Sequence, residues 1–373
     1  MAYKYIPFNL MSAFCERVFK EYGFSSENGR FITDVLLSAD LFGIESHGVQ
    51  RLVRYDYEIR SGMVKLDGKP EIVFETPVSA AIDGNNAMGQ LNGQYAMNLA
   101  IEKAKKSGIG LVSVRHSNHY GIAGYYTRMA LEEDLIGVCM TNTEAIMVPT
   151  FGKEAMIGTN PIALSMPADP LAFNFDSATT VVPRGKVEVY NKKGIPLPDG
   201  WAIDTRGLVS NNPGEVLHNI INKLGGGILP LGGFGEENSG HKGYGLGVIC
   251  ELFTAIMAGG ATSNHLTAGG KDVDIKRVAN DTSTSHAFWA IDYGIFGNKT
   301  EIRKNFSVFL QELRDCAKAD GQERIYTHGE KEIESAKRVM AEGVGVNEIT
   351  FAELKRIGGQ LGIDSEAYIG GSF

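Results

Sequence analysis

Over residues 7–62 apolar side chains recur at helical spacing. Leu10, Phe14 and Val18 stand four apart, and Phe31, Val35, Leu36 and Ala39 form a second stripe that Ser25 or Ser26 can cap. That helix should stop near Gly43, and a third, roughly 48–61, should end at Gly62. Between them lies ESHGVQR, a polar insertion at a helix junction. From about residue 72 the texture changes to short β-like runs (IVFE, SAAID, LVSV, IGVCM, IALSMP, AFNFD) with helical patterns between some of them. LNGQYAMNLAIEKAKKSG is the clearest of those helices, and its Lys-rich end suits the helix dipole. A glycine-rich segment from Gly225 to Gly240 reads either as close backbone approach or as a slack surface loop. It leads into HKGYGLGVICELFTAIMAGG, apolar nearly all round and therefore expected to be a buried helix. After a strand near 287–292, helical segments at 301–318, 329–342 and 350–361 finish the chain, the last with a capping box of Thr350 and Glu353. The expected fold is α/β: a sheet domain over 73–311, flanked by a helical domain built from both termini, 1–72 completed by 312–373.

Composition narrows the function. The chain has 373 residues, 43% hydrophobic and 21% charged, which suits an ordinary globular protein with room for two domains. A net charge of −8 argues against nucleic acid or a membrane surface as partner, so a small anionic substrate needs a local cluster of Arg, Lys or His. The four cysteines show no CxxC spacing, which indicates neither a zinc knuckle nor a disulfide framework. The N-terminus lacks the charged and apolar regions of a signal peptide, and apolar runs break before the roughly 18 residues of a membrane span. A reducing cytoplasm is the expected compartment.

Candidate chemistry gathers in a few stretches. In LVSVRHSNHYG, residues 111–121, a strand should end in a polar loop carrying His116 and His119, and imidazole titrates nearest to working pH. The same residues read as capping or core histidines. Their HxxH spacing would also suit a metal-dependent hydrolase if a distant third ligand joined them. Ser46-His47-Gly48 with Arg51 places an imidazole and a guanidinium four residues apart, on one side of the following helix. The guanidinium fork matches a carboxylate, while Ser46 alone would be a helix cap. Asp176, Ser177 and Ala178 follow a strand and could meet phosphate or ribose oxygens or cap a helix. Lys242, between glycines at a helix start, suits a diphosphate or is a solvated turn residue. No GxGxxG follows a strand and no GxxxxGK[ST] occurs, so any dinucleotide binds outside the Rossmann pattern.

The order of these stretches resembles the malate/L-lactate dehydrogenase family of the second type, which is distinct from the Rossmann-fold lactate and malate dehydrogenases. It includes ureidoglycolate, sulfolactate and diketogulonate oxidoreductases and cyclic-imine reductases. The matching stretches are Ser46-His47-Gly48 with Arg51, SNHYG ending in His119 and Gly121, MTNT to Thr143, GTNP from Gly158, FDSATT from Asp176, RGKVE from Arg184, PDGWAID around Trp201 and HKGYGLG around Lys242. The resemblance implies a non-Rossmann sheet domain that binds NAD, or NADP, and a homodimer with sites near the subunit interface. It implies hydride transfer between the cofactor and a 2-hydroxy acid, malate or L-lactate in the first place, with a ureidoglycolate dehydrogenase or cyclic-imine reductase as the alternative. It implies His47 or His119 as proton donor or acceptor and Arg51 as the substrate-carboxylate group, without a metal. Cofactor contacts carry over to Thr143, Asp176, Ser177, Ala178, Lys242, Gly329, Glu330 and Lys331. Relatives often have Pro where His328 precedes the last three.

Overall fold

The structure is a computed structural model that describes residues 2–266 and 283–373. A short strand β1 (Tyr3–Ile6) opens the chain, and Pro7 starts α1 (Phe8–Glu21). The buried stripe of α1 is Met11, Phe14, Cys15, Val18 and Phe19, whereas Leu10 lies on the exposed side. Ser25 caps α2 (Ser26–Leu41), its Oγ accepting the Asn28 N–H at 3.1 Å. The third helix is shorter than its sequence pattern suggests. Two 3₁₀ turns, Glu45–His47 and Val49–Arg51, come first, and α3 spans only Leu52–Arg60.

The middle of the chain builds a seven-stranded sheet. Its first part is β2 (Glu71–Glu75), β3 (Ser79–Asp83), α4 (Gly89–Ser107), β4 (Ile109–Ser117), α5 (Ala123–Glu132), β5 (Ile136–Thr141), β6 (Ile162–Met166) and β7 (Phe173–Ser177). A side lobe follows, of α6 (Arg184–Lys193), β8 (Ala202–Ile203), α7 (Pro213–Asn222) and β9 (Gly227–Ile228), with Val187, Ala202, Val216, Ile220 and Ile228 as its core. Then come α8 (Gly240–Glu251), β10 (Thr284–Ile291) and α9 (Lys299–Asp315). The strand order is β2-β3-β4-β10-β5-β6-β7, and only the β3–β4 pair is parallel. β10 therefore sits in the middle, Phe288 opposite both Val112 and Cys139. Helices α4 and α5 cover one face, where Ala96, Ala100, Val112, Tyr126 and Phe288 pack together. The fit is tight: a Cβ on Gly110 would lie 2.0 Å from the Ala100 carbonyl oxygen.

The apolar helix near residue 245 departs from expectation. Its α-helical part runs on into a π-helical segment, Leu252–Ile256. Gly243, Gly247 and Cys250 are buried, but Leu246, Val248, Ile249, Leu252, Ile256 and Met257 are exposed. An all-round apolar helix thus turns one face inward and leaves the other uncovered in the single chain.

The chain ends with α10 (Glu330–Glu342), β11 (Val344–Asn347), α11 (Glu348–Gln360) and α12 (Glu366–Ile369). β11 pairs antiparallel with β1, Ile6 facing Val344. One apolar cluster accordingly joins Met11, Phe14, Leu36 and Leu52 from the beginning of the chain to Val339, Phe351, Leu354 and Ile369 from its end. Among the described residues no helix is long and apolar enough to cross a membrane. The expected capping box moves by one turn: Asn347, not Thr350, caps α11, its side chain accepting the Thr350 N–H at 3.0 Å. Asn347→Ala should therefore cost about 1 kcal/mol, read as a lowered thermal midpoint; an unchanged midpoint would remove the cap from this account.

Candidate active site

Strand β4 runs three residues further than its apolar pattern, to Ser117. Arg115 and His116 belong to the sheet, and His116, at φ 49°, turns its Nδ1 to the Asp83 carboxylate at 2.9 Å. The loop begins only at Asn118, so His116 and His119 have separate partners. Among the described residues no three of His, Cys, Asp and Glu are placed to hold a metal ion.

His119 is fixed from several sides. The Asn118 side-chain amide donates to the carbonyls of Asn86 (3.0 Å) and Ala87 (2.8 Å). Gly89, first residue of α4, packs so closely that a Cβ there would lie 2.2 Å from the Asn118 oxygen and 2.4 Å from that of His119. The Tyr55 hydroxyl reaches His119 Nδ1 at 2.9 Å. The ring of His47 stacks against that of His119, centroids 5.7 Å apart and planes at 28°.

His47 and Arg51 arrive there through the two 3₁₀ turns rather than on one helix face. Gly48 joins the turns above the buried Asp40: a Cβ would lie 2.0 Å from Asp40 Oδ1, and Asp40 Oδ2 accepts the Val49 N–H at 2.7 Å. Ser46 Oγ is 2.9 Å from His47 Nδ1, and Arg51 Nε donates to the Ser46 carbonyl at 2.5 Å. Burial, helped by the charges of Arg51 and Arg54, lowers the His47 pKa to about 4. Burial also carries His119 well below the usual imidazole value, with Arg54, His47 and Arg51 adding to the effect. Both rings are thus neutral at pH 7 beside a guanidinium. Burial pushes Asp40 the other way, to about 8, against the opposing Val49 hydrogen bond.

The remaining candidate residues lie along an adjoining edge. Asp176, near the end of β7, accepts the Gly124 N–H of the first turn of α5 at 2.7 Å. The segment from His119 to Gly124 thereby links the histidine pair to β7. Surrounding protein raises the Asp176 carboxyl to about 6, although solvent still reaches the side chain. Ser177 Oγ donates to the Ala178 carbonyl at 3.1 Å. The Asn174 N–H donates to the His328 carbonyl at 3.0 Å, which lays the Gly329 turn beside β7. Gly329, at φ 103°, is the left-handed cap position of α10. Glu330 has structural partners of its own: 2% exposed, its carboxylate takes the Thr327 N–H and hydroxyl and pairs with Arg314 and Arg324. These bonds hold its pKa down near 2, against the effect of burial. Lys331 lies over the Tyr326 ring at 4.8 Å. Thr143 Oγ1 accepts the Thr159 N–H at 2.9 Å, and Asn160 ties that loop to α8 through Glu251 Oε1 at 2.8 Å. Lys242 is exposed in the first turn of α8.

The structure thus brings His47, Arg51 and His119 into one cluster, and Asp176 to Ala178 and Gly329 to Lys331 onto one neighbouring edge. Lys242 has no hydrogen bond from its side chain among the described residues. The residues that sequence reading passed over are the supports: Asp40, Tyr55, Gly89 and the buried Glu251. Only Tyr55 carried a usable signal, four residues beyond Arg51 on the same helical side.

A dinucleotide fits these residues. Helix α8 opens at Ser239, which is left-handed at φ 64°; no side chain caps it and its first turn has no acidic residue. The Gly240 and Lys242 N–H groups already bond the carbonyls of Gly235 and Ser239, so the exposed Lys242 ammonium at the positive end of the helix is the group suited to phosphate oxygens.

Comparison with known proteins gives the family and the class of reaction. The sequence model of the malate/L-lactate dehydrogenase family matches residues 6–355. Malate dehydrogenase from Pyrococcus abyssi is 42% identical over 97% of this chain and 96% of its own. L-sulfolactate dehydrogenase from Methanocaldococcus jannaschii is 36% identical over 94% and 96%. The crystal structure of malate dehydrogenase from Entamoeba histolytica superposes with a TM-score of 0.91 at 35% identity, over 97% of this chain and 99% of that one. The chain is a dehydrogenase of 2-hydroxy acids that works with a nicotinamide cofactor. It belongs to the malate/L-lactate dehydrogenase family.

Two tests follow from the packing. Gly89→Ala should displace the His119 main chain and lower both kcat and the thermal midpoint; wild-type values for both would show that the close approach relaxes without cost. His47 is neutral when folded, with a pKa near 4 against the ordinary 6.5, so the unfolded chain binds the extra proton between those values. Its stabilising contribution is complete above pH 6.5 and is lost as pH falls towards 4. His47→Asn should flatten the stability profile there by up to one proton, about 1.4 kcal/mol per pH unit. Parallel profiles would mean that His47 titrates like a solvated imidazole.

Proposed function

We propose that the enzyme interconverts malate and oxaloacetate, with the pair His47 and His119 handling the proton and Arg51 the substrate carboxylate. The observation that carries this reading is the stack of two neutral imidazoles beside the half-buried guanidinium of Arg51. A nicotinamide held along the neighbouring edge would supply the hydride chemistry at C2. In oxidation a neutral imidazole accepts the C2 hydroxyl proton as the hydride leaves, and in reduction it gives that proton back to the carbonyl oxygen. Burial keeps the imidazole unprotonated and ready to act as base, while the Arg51 fork fixes the carboxylate and so aims C2. The malate dehydrogenases among the relatives support this substrate over lactate.

For the cofactor we propose NAD. Asp176 feels the negative charge of Glu332, and an acidic edge favours ribose hydroxyls over a 2′-phosphate. Thr143, Ser177, Ala178 and Lys242 would contribute hydroxyl, main-chain and ammonium contacts. At the turn 329–331 the contacts would fall to the main chain of Gly329 and to Lys331, since the Glu330 carboxylate is already bonded. The uncovered apolar face of α8 supports a homodimer. Free cysteines at 15, 139, 250 and 316 support a reducing cytoplasm. The separate apolar clusters support a division into a helical unit, 1–72 with 312–373, and a sheet unit, 73–311.

The test is oxidation of NADH and NADPH across oxaloacetate, pyruvate, sulfopyruvate, oxalurate and a cyclic imine. Oxaloacetate with NADH should give the highest kcat/KM; a cyclic imine or oxalurate in that place would overturn the substrate assignment. His119→Asn or His47→Asn should lower kcat by roughly two to four orders of magnitude, and both assignments fall if neither does. Arg51→Lys should chiefly raise KM, because a point charge cannot replace the fork. An unchanged KM for every 2-oxo acid would remove Arg51 from that role.

A further inference from the structure

The His119 ring has one partner from the helical part of the chain that the proposed chemistry has not used. Tyr55 is wholly buried on α3, and its hydroxyl lies 2.9 Å from His119 Nδ1, with the two rings 5.8 Å apart. Among the described residues this is its one hydrogen bond of normal geometry. Behind it stands Gln90, second residue of α4 and also wholly buried. Neither Gln90 Oε1 nor Nε2 has a hydrogen bond in the structure. The amide comes close enough to affect the Tyr55 hydroxyl without closing a well-formed bond. A buried amide with both ends open is costly, on the order of 1–3 kcal/mol for each group left unpaired. Such a group is expected where its bond forms in another state of the site.

We propose that Tyr55 is a positioning residue that sets the tautomer of His119, with Gln90 as its backstop. This rests on His119 being the proton-transferring group proposed above. A neutral imidazole has a single N–H. When His119 Nδ1–H donates to the Tyr55 oxygen, Nε2 is bare and faces the substrate as a base. The tyrosine O–H is then free to donate to Gln90 Oε1, which satisfies the oxygen end of the open amide. Once Nε2 has taken the substrate proton, the imidazolium keeps its Nδ1–H on the same oxygen. If instead the tyrosine donates to Nδ1, the N–H moves to Nε2 and the ring cannot accept a proton there. The direction of one hydroxyl therefore decides which end of the ring is basic. Burial raises the Tyr55 pKa far above its ordinary value, so the hydroxyl stays protonated and able to play either part. A change of direction pairs rotation about the C–O bond with transfer of the imidazole proton from Nδ1 to Nε2, by loss at one nitrogen and uptake at the other.

The test compares Tyr55→Phe, His119→Asn and the double variant in the intact enzyme. Activity is measured in both directions, and long-range ¹H–¹⁵N spectra of histidine-labelled protein report the tautomers. The His119 signal, identified by its loss in His119→Asn, should be that of the Nδ1–H form in the wild type and a mixture in Tyr55→Phe. Tyr55→Phe should lower kcat about 10- to 100-fold, the range for removing the partner that orients a functional histidine, with KM for the 2-oxo acid nearly unchanged. On the His119→Asn background it should cause no further loss, since both changes act through one group. Losses that multiply, or an unchanged tautomer in Tyr55→Phe, would overturn the proposal. If His119→Asn keeps wild-type kcat, the acid/base reading fails, while the spectra still report on the tyrosine separately. Should Tyr55→Phe not fold, Gln90→Met takes its place: a tautomer shift of the same sign is expected, and an unchanged spectrum would overturn the assignment.

Discussion

Strands β4 and β5 deliver different parts of the site, and β10 between them decides how far apart these parts lie. The tie is a buried imidazole. His286 on β10 meets Thr141 Oγ1 at 2.7 Å through Nδ1 and Ser117 Oγ at 2.9 Å through Nε2, which is also 3.2 Å from the Asn118 carbonyl. It stacks flat on Tyr120, centroids 4.2 Å apart and planes at 5°. Ser117 and Asn118 lead to His119; Thr141 leads to Thr143. Burial carries His286 down to about 3, so it stays neutral and can accept on one nitrogen while donating on the other. Both strand ends are then held by a group that cannot drift with pH in the ordinary range.

The same low-dielectric surroundings set the character of the site. Desolvation disfavours charge on each imidazole, and the guanidinium groups of Arg51 and Arg54 disfavour it further. The carboxylate of a 2-hydroxy acid offsets the arginines as it enters and makes a protonated ring less costly. Asp40 sits below the His47 turn with its carboxyl pushed towards the protonated form, so little negative charge competes with the substrate from beneath. The Glu251 carboxylate, by contrast, is surrounded by donors from Asn142, Asn160 and Ser263 and acts as a clasp between α8 and the loop behind Thr143.

Much of this was readable in the residues. Periodicity located the helices at both ends and most strands, and the order of SHG with Arg51, SNHYG, GTNP, FDSATT and HKGYGLG pointed to the family. Local patterns could not show that β10, far down the chain, inserts between β4 and β5, because pairing partners at such separation leave no periodic trace. Nor could they show β1, whose four residues form a strand only against β11. The cap of α11 was misplaced because Thr350 and Glu353 match a capping box, while Asn347, three residues earlier, makes the actual bond. The α8 region was taken as buried on composition alone, which does not register that Gly240, Gly243 and Gly247 crowd the packed side and leave the larger apolar side chains on the other. The resemblance put Glu330 among the cofactor contacts, and no local pattern showed that its carboxylate pairs with Arg314 and Arg324.

The pairing of β1 with β11 has a bearing on how the molecule comes into being. The apolar stripes of α1 and α2 find part of their packing at Val339 to Ile369, far along the chain. At ordinary elongation speeds of ~5–20 residues per second, the N-terminal helices wait on the order of tens of seconds with those stripes uncovered. Nascent-chain chaperones therefore have a natural client in α1 and α2, and the emergence of that distant segment, more than any local helix formation, starts the final closure of this cluster.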